Sequence, residues 1–275
     1  METILVASDL SERSDRAMRR AASLAKAHGA KLIAMAVIDE DLPSAIAATQ
    51  VEQAGAQLSS AFGENADGAE FKAVIGDPFR DIHTAAAEAN ADLIVLGLHR
   101  PRPMLDLFRE TTMERLVRMS ERPVLIVRDL GVGDYARILT PIDFSPASEA
   151  ALRAASTISP GADVQAFHAY HVPFQGFRGG QVSAAESNSF RRQANAEMEK
   201  WLKTADLPAS APKIELVEGS IQQVLMQRIG TFKPDLIAIG AHGRSSVAPG
   251  IVGNVTLELK RNPPCDMLIA RQKIM

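Results

Sequence analysis

Apolar residues gather in short runs along the chain, and each run is followed by a longer stretch with helical spacing. The opening run, at 3–8, is short and β-rich, which is typical of a buried strand. The stretch at 12–28 repeats its apolar positions at helical intervals and stops at His28-Gly29, a common helix end. The same alternation predicts further strands at 32–37, 71–75, 92–97 and 123–127 and helices at 44–62, 79–90 and 111–120.

The second half of the chain repeats this order of elements. It has strand patterns at 138–142, 163–168, 213–217, 235–240 and 266–270, with helices between them, one of them at 181–205. Strands that alternate with helices form parallel sheets with right-handed crossovers. The pattern therefore predicts an α/β protein of two tandem, doubly wound, Rossmann-like domains, each with a five-stranded, mostly parallel sheet.

Two pairs of similar segments show that the halves are copies of one another. Residues 3–15 and 137–149 share Asp, one residue, and Ser, which gives Asp9 with Ser11 and Asp143 with Ser145. DLIVLGLHR at 92–100 aligns with DLIAIGAHG at 235–243, and the same offset continues to the last strand. The repeat places one domain at 1–131 and another at 134–275, joined by a short glycine-bearing linker.

Composition narrows the class of protein. The chain has 275 residues, of which 46% are hydrophobic and 23% charged, so either half can bury a core of its own. The net charge is −3, without the basic excess that a polymeric nucleic acid requires of its partner. The single cysteine, Cys265, excludes an intrachain disulfide and is expected to be a buried, inert thiol. The first residues do not resemble a signal peptide, and no apolar stretch is long enough to span a membrane, so we expect a cytoplasmic protein.

Candidate chemistry lies at the carboxyl ends of the first and fourth strands of the second copy, where open α/β sheets bind ligands. Asp143 follows the first of these strands, and a loop from Gly240 to Asn254 follows the fourth. Glycines in this loop let backbone N–H groups approach an anion, and a helix that begins at Asn254 would add its positive end. Asn is also a favoured N-cap, and the two roles of Asn254 are compatible. Ser145 is the better N-cap for the helix near Pro146, which would free Asp143 for a ligand.

These residues resemble the universal stress protein family, over nearly the whole chain and twice. ATP-binding members of that family carry Gly, two residues, Gly, nine residues, Gly, and then Ser or Thr. Gly240, Gly243 and Gly253 match this spacing, whereas Asn254 replaces the hydroxyl residue. The family's Asp at the matching strand end, here Asp143, contacts the nucleoside, and backbone near Ala169 would touch adenine. The resemblance implies an ATP site, with Mg²⁺ left open, made of Pro141, Asp143, Ala169, Gly240, Gly243, Arg244, Gly253, Asn254 and Val255. It also implies that the copies pack as a pseudo-dimer.

The first copy departs from the family pattern. Gly97 and Thr111 occupy two of the matched positions, but Arg100 stands where Gly243 does and Glu110 where Gly253 does. Their long side chains deny close backbone approach, and the glutamate repels a phosphate. We therefore expect the first copy to be degenerate for nucleotide, although its Asp9 leaves a weaker or different ligand open.

Other polar residues favour structural interpretations. His99 and His242 occupy equivalent loop positions, and we expect packing or hydrogen-bonding roles rather than catalysis. His168 and His171 have a His-x-x-His spacing, but the sequence offers no third metal ligand. Arg191 and Arg192 are expected on a solvated helix face.

The sequence therefore predicts a stress-response protein that binds ATP in its second domain and acts through nucleotide-dependent regulation or partner binding. No P-loop, nucleophile elbow or zincin motif is present, so at most weak ATP hydrolysis is expected. Two alternatives stay open: a non-nucleotide interaction module, in which the surface near 101–108 recruits a protein partner, and a slow ATPase. Further dimerisation of the chain is also left open.

Overall fold

The computed structural model describes residues 1–62, 68–98, 111–129, 133–172, 184–241, 259 and 262–272. Strands and helices alternate along these residues, in the order that the hydrophobic pattern predicts. The strands are β1 (Thr3–Ser8), β2 (Lys31–Asp39), β3 (Glu70–Gly76), β4 (Leu93–Gly97), β5 (Val124–Val127), β6 (Arg137–Pro141), β7 (Asp163–Tyr170), β8 (Ile214–Glu218), β9 (Leu236–Gly240) and β10 (Asp266–Ala270). The helices are α1 (Glu12–His28), α2 (Ser44–Phe62), α3 (Pro78–Glu88), α4 (Thr112–Met119), α5 (Pro146–Ile158), α6 (Ala184–Leu202) and α7 (Ile221–Phe232).

Local polar residues decide where most helices begin. Ser11, Ser145 and Ser220 cap α1, α5 and α7, each accepting a hydrogen bond from the backbone N–H three residues later. Asp77 caps α3 in the same way. Thr111 forms a capping box with Glu114 at the start of α4. Gly29 ends α1 in the left-handed conformation, as the His28-Gly29 pair predicts.

The first compact unit comprises Met1–Asp134 together with Cys265–Ile269 from the end of the chain. Its strands lie in the order β3-β2-β1-β4-β5-β10. Neighbouring strands are parallel except β5 and β10, which are antiparallel, with Leu125 opposite Leu268. Helices α1 and α2 contact each other, and α3 contacts α4, so the sheet carries two separate helix pairs.

The second compact unit comprises Tyr135–Pro264 and Ala270–Gln272. Its strands lie in the order β9-β6-β7-β8 and are parallel where their pairing is resolved. Helix α5 packs on β6 and β9, α6 on β7 and β8, and α7 on β6 and β7. The first strand of each copy therefore lies between the second and the fourth, which places a topological switch point beside β6 and another beside β1.

Burial along the strands explains their composition. Strands β5, β9 and β10 are buried at every position, as expected of strands covered on both faces, whereas β3 and β8 are only partly buried.

In each copy, an aspartate just before the fourth strand accepts hydrogen bonds from the start of the first strand, at the amino ends of the two strands. Asp92 accepts hydrogen bonds from the N–H groups of Glu2 and Thr3, and Asp235 accepts from those of Ala136 and Arg137. The Asp of the repeated DLI motif therefore holds the start of the neighbouring strand.

The predicted fold class is confirmed in the described residues. Each half of the sequence contributes five strands, and the pairing is mixed but mostly parallel. Helix α6 spans Ala184–Leu202, within the predicted 181–205, and residues 181–183 lie outside the described residues. Among the helices that the structure describes, none is both long enough and apolar enough to cross a membrane.

Candidate functional site

Asp143 lies just beyond the buried carboxyl end of β6. Pro141 is the last residue of that strand, and the N–H of Ile142 extends the ladder by donating to the carbonyl of Phe167 (2.7 Å). Asp143 is half-buried, and its Oδ1 accepts hydrogen bonds from the N–H (3.0 Å) and the Oγ (2.5 Å) of Ser145. Ser145 is the N-cap of α5, as expected, and the same serine also donates to the Asp143 carboxylate.

The turn after Asp143 uses a strained backbone conformation. Phe144 has φ +61°, in the left-handed region that non-glycine residues rarely adopt. Its ring is buried, stacks on the ring of His168 with centroids 4.3 Å apart, and meets Trp201 at 5.6 Å. These contacts offset the conformational cost, which is of order 1 kcal/mol. Packing against β7 and α6 thus fixes the direction in which the chain leaves β6.

The first copy builds the same turn from the same spacing. Asp9 Oδ1 accepts from the N–H (3.1 Å) and the Oγ (2.6 Å) of Ser11, and Leu10 has φ +60°. Burial raises the pKa of Asp9, but hydrogen bonds from the Ser11 side chain and backbone and from Ser14 outweigh it, so the pKa lies below its ordinary value. Because both copies form this turn, Asp and Ser at this spacing have a structural role whether or not a ligand binds.

Gly240 ends β9 directly against the start of α5. A Cβ at this position would lie 2.8 Å from the backbone carbonyl carbon of Ala147 and 2.9 Å from the nitrogen of Ser148. Backbone atoms cannot withdraw as a flexible side chain can, so only glycine permits this approach. Strand β9 is also the hydrogen-bonded neighbour of β6, with Leu139 opposite Ile237. Gly240 and Asp143 therefore lie at the carboxyl ends of adjacent parallel strands.

Ala169 lies at the carboxyl end of the next strand, β7, where it is half-buried and pairs with Val217. Strands β9, β6 and β7 are consecutive, so their ends bring Gly240, Asp143 and Ala169 to one edge of the sheet. The other predicted site residues, Gly243, Arg244, Gly253, Asn254 and Val255, lie outside the described residues, as do His242, His99, Arg100 and Glu110.

The remaining candidate residues have structural surroundings. His168 Nδ1 lies 2.7 Å from the carbonyl oxygen of Ile142, which joins β7 to the turn. Within the part of the chain that the structure describes, no group of three or more His, Cys, Asp or Glu side chains could hold a metal ion. Cys265 is buried and Arg191 and Arg192 are exposed, as expected.

Sequence reasoning missed two contributors to this region. Ser148 is buried, and its Oγ donates to the carbonyl of Ser145 (2.9 Å) and accepts from the N–H of Asp143 (3.4 Å). The role of Phe144 is not readable from the sequence, because a left-handed phenylalanine has no sequence signature. The repeat carried a signal for the serine, since Ser14 makes the equivalent bond to the carbonyl of Ser11 (2.8 Å).

Comparison with known proteins gives one family. The family model described as "Universal stress protein family" matches residues 1–128 and again 134–271. A universal stress protein from Archaeoglobus fulgidus has a similar structure, at 18% identity and TM-score 0.67, covering 98% of this chain and 96% of that one. One described as putative, from Pseudomonas aeruginosa, is 14% identical with TM-score 0.63, covering 99% and 94%.

A universal stress protein solved in complex with cAMP is 29% identical over 46% of this chain and 96% of its own, with TM-score 0.37. The comparison with curated protein sequences gave no match.

Proposed function

Because this chain belongs to the universal stress protein family, we propose that its second half binds ATP at the carboxyl ends of β6, β7 and β9. One observation carries the proposal. Asp143 and Gly240 end adjacent parallel strands at the switch point of the sheet, where α/β proteins bind their ligands.

The described residues fit a nucleoside at this edge. A carboxylate accepts hydrogen bonds from sugar hydroxyl groups, and Asp143 is held in place through Ser145. The carboxyl end of β7 at Ala169 offers backbone groups beside it. Gly240 lets β9 approach α5 closely, so the loop that follows starts next to the Asp143 turn. In the sequence, Gly243 and Gly253 would then supply N–H groups to the phosphates, with Arg244, Asn254 and Val255 nearby.

In this proposal ATP is a regulatory ligand rather than a substrate for hydrolysis. Asp143 Oδ1 accepts two hydrogen bonds from Ser145, which suits a fixed acceptor better than a general base. A ligand changes the behaviour of a protein only through different affinities for two conformations. Bound ATP, with or without Mg²⁺, would therefore favour one state of the second unit and its choice of protein partner.

The family supports an adenine nucleotide as the class of ligand, since one member has been solved with cAMP. We further propose a cytoplasmic location, a role in adaptation to stress, and an unidentified protein partner or a second copy of the chain. Neither a nucleic acid nor a membrane is proposed as a partner.

The test compares two aspartates in equivalent turns. Asp143→Ala and Asp9→Ala each remove two hydrogen bonds to a capping serine, so they disturb equivalent turns. Isothermal titration calorimetry of the full chain with ATP should show about 10- to 100-fold weaker binding for Asp143→Ala. This is the loss of affinity expected when one hydrogen bond to a charged group is removed. Asp9→Ala should bind ATP like the wild type.

Three outcomes would contradict the proposal. Equal losses in both variants would make the aspartate purely structural. Absence of adenine nucleotide after heat denaturation of the purified protein, with no thermal shift at millimolar ATP, would favour the non-nucleotide interaction module. Steady ATP turnover that Asp143→Ala abolishes would instead identify a slow ATPase.

A further inference from the structure

The last strand of the chain is held in the first compact unit by a buried acid. Asp266 begins β10 and is 1% exposed. Its Oδ1 accepts hydrogen bonds from the N–H groups of Arg128 (2.8 Å) and Asp129 (3.0 Å), which follow β5. Its Oδ2 lies 3.4 Å from Nε of Arg20, on α1. One carboxylate therefore joins β10 to the end of β5 and to a helix.

Arg20 is as deeply placed as its partner. The residue is 5% exposed, and Nη1 donates to the carbonyl of Gly133 (2.5 Å). One turn earlier on α1, Arg16 Nη1 donates to the carbonyl of Arg128 (2.9 Å). One turn later, Ser23 Oγ accepts from the N–H of Gly133 (3.2 Å). Helix α1 is thus bonded to the backbone at Arg128 and again at Gly133.

The apolar residues of β10 cannot define its register by themselves. Met267, Leu268 and Ile269 face Ile126, Leu125 and Val124 of β5, and all of them are buried. A slip of one residue would exchange the two faces of the strand. A slip of two would keep the faces and exchange one aliphatic side chain for another, at little cost in packing. Such a slip would, however, take the Asp266 carboxylate away from Arg20 and from the N–H groups of Arg128 and Asp129, and would break a buried ion pair.

We propose that the ion pair of Arg20 and Asp266 forms a register pin. It fixes the register of β10, selects β10 as the partner of β5 and controls the release of β10 from β5. The pin combines a buried ion pair with two charge-assisted backbone hydrogen bonds, the strong class of hydrogen bond. Removal of one charge breaks the ion pair and leaves the other charge buried, whereas removal of both leaves neither charge to bury. Release of β10 is therefore strongly sensitive to either single charge and much less sensitive to the loss of both.

Hydrogen exchange of the full chain, followed by mass spectrometry, tests the pin. Arg20→Met and Asp266→Asn should each speed exchange of residues 124–129 and 265–270 by about tenfold or more, because local opening becomes easier. Exchange in β2 and β7 should stay as in the wild type. The double variant Arg20→Met/Asp266→Asn should recover much of the lost protection, and it keeps the test valid if a single variant does not fold.

The control is Lys31→Met, which removes a surface ion pair with Glu70 and should leave exchange at 124–129 unchanged. Unchanged exchange at β5 and β10 in both single variants would overturn the proposal. Uniformly faster exchange throughout the first unit would also overturn it, because the pair would then stabilise the whole unit rather than hold one strand. If the double variant exchanges as fast as the two single effects on exchange, added together, predict, then the two charges are not coupled.

Discussion

Gly240 and Ala147 approach so closely that a Cβ on the glycine would lie 2.8 Å from the alanine carbonyl carbon. We predict that Gly240→Ala forces β9 and the first turn of α5 apart and costs about 1–3 kcal/mol of unfolding free energy, measured by urea denaturation. Because α5 begins at the turn that carries Asp143, ATP affinity should fall as well.

The matched control is Gly230→Ala in α7, where an added Cβ meets no atom within 4 Å. Alanine is the better helix former, so this variant should be more stable by about 0.5–1 kcal/mol. A Gly240→Ala variant as stable as the wild type would show that the helix can yield, and that the glycine is not required for close approach.

Phe144 offers a test of the left-handed turn. At a position with negative φ, a protein is usually less stable with glycine than with alanine. At φ +61° we expect the reverse, with the glycine variant more stable than the alanine variant. We predict that Phe144→Ala costs about 3–5 kcal/mol through loss of the buried ring. Phe144→Gly should be less damaging than Phe144→Ala by about 1 kcal/mol.

The first copy gives an independent check of the same reversal. Leu10 has φ +60° in the equivalent turn, so Leu10→Gly should also be more stable than Leu10→Ala in thermal or urea unfolding. If alanine is the better residue at both positions, the turn relaxes without cost and the conformation is not constrained by its surroundings.

Acid should weaken the first unit through two carboxylates. Burial raises the pKa of Asp92, but hydrogen bonds from the N–H groups of Glu2 and Thr3 outweigh it, and the pKa of Asp9 is lowered too. A carboxylate whose pKa falls on folding contributes stability above its unfolded value of about 3.9 and loses it as pH falls through the folded value. Unfolding free energy should therefore fall from about pH 5 downwards.

Asp9→Asn and Asp92→Asn should each reduce the loss of unfolding free energy at low pH, which is the acid limb of the stability curve. Urea denaturation at several pH values measures it. Asp163→Asn, at an exposed residue that begins β7, is the comparison for the loss of one surface charge. An equally steep limb in the double variant Asp9→Asn/Asp92→Asn would show that other groups carry the acid sensitivity.

The phosphate side of the proposed site is tested by copying the first half into the second. Gly243→Arg with Gly253→Glu introduces the side chains found at Arg100 and Glu110. We predict that ATP binding is lost and folding is retained, because bulk and negative charge exclude a polyphosphate.

Gly230→Arg with Gly161→Glu provides the control for this exchange. It adds the same charges where an added Cβ meets no atom within 4 Å, and ATP binding should persist. Unchanged ATP affinity in the variant Gly243→Arg/Gly253→Glu would defeat the assignment of these glycines to the phosphates.

Several features of the site followed from short-range sequence patterns. Ser145 before Pro146 predicted a helix start, and Ser145 is the N-cap of α5. The repeated Asp-x-Ser predicted that both copies share a feature, and both form the same turn. Patterns of this kind are readable because a cap or a turn involves residues within three or four positions of each other.

Other features involve residues far apart in the chain. Nothing near Gly240 indicates that α5 will lie against it, and nothing near Phe144 indicates the rings of His168 and Trp201. The resemblance assigned Gly240 to a ligand, whereas the structure gives it a packing role in addition. Long-range contacts of this kind depend on which elements become neighbours, which periodicity does not specify.

The sequence by itself determined the elements, their alternation, the twofold repeat and the family, because spacing of apolar residues and local caps act over a few residues. Tertiary structure decided that β10 lies antiparallel beside β5 and that Asp266 is buried against Arg20. The physical reason is that burial of aliphatic side chains is non-directional: it drives a strand into the sheet, but only shape and buried charge select its neighbour.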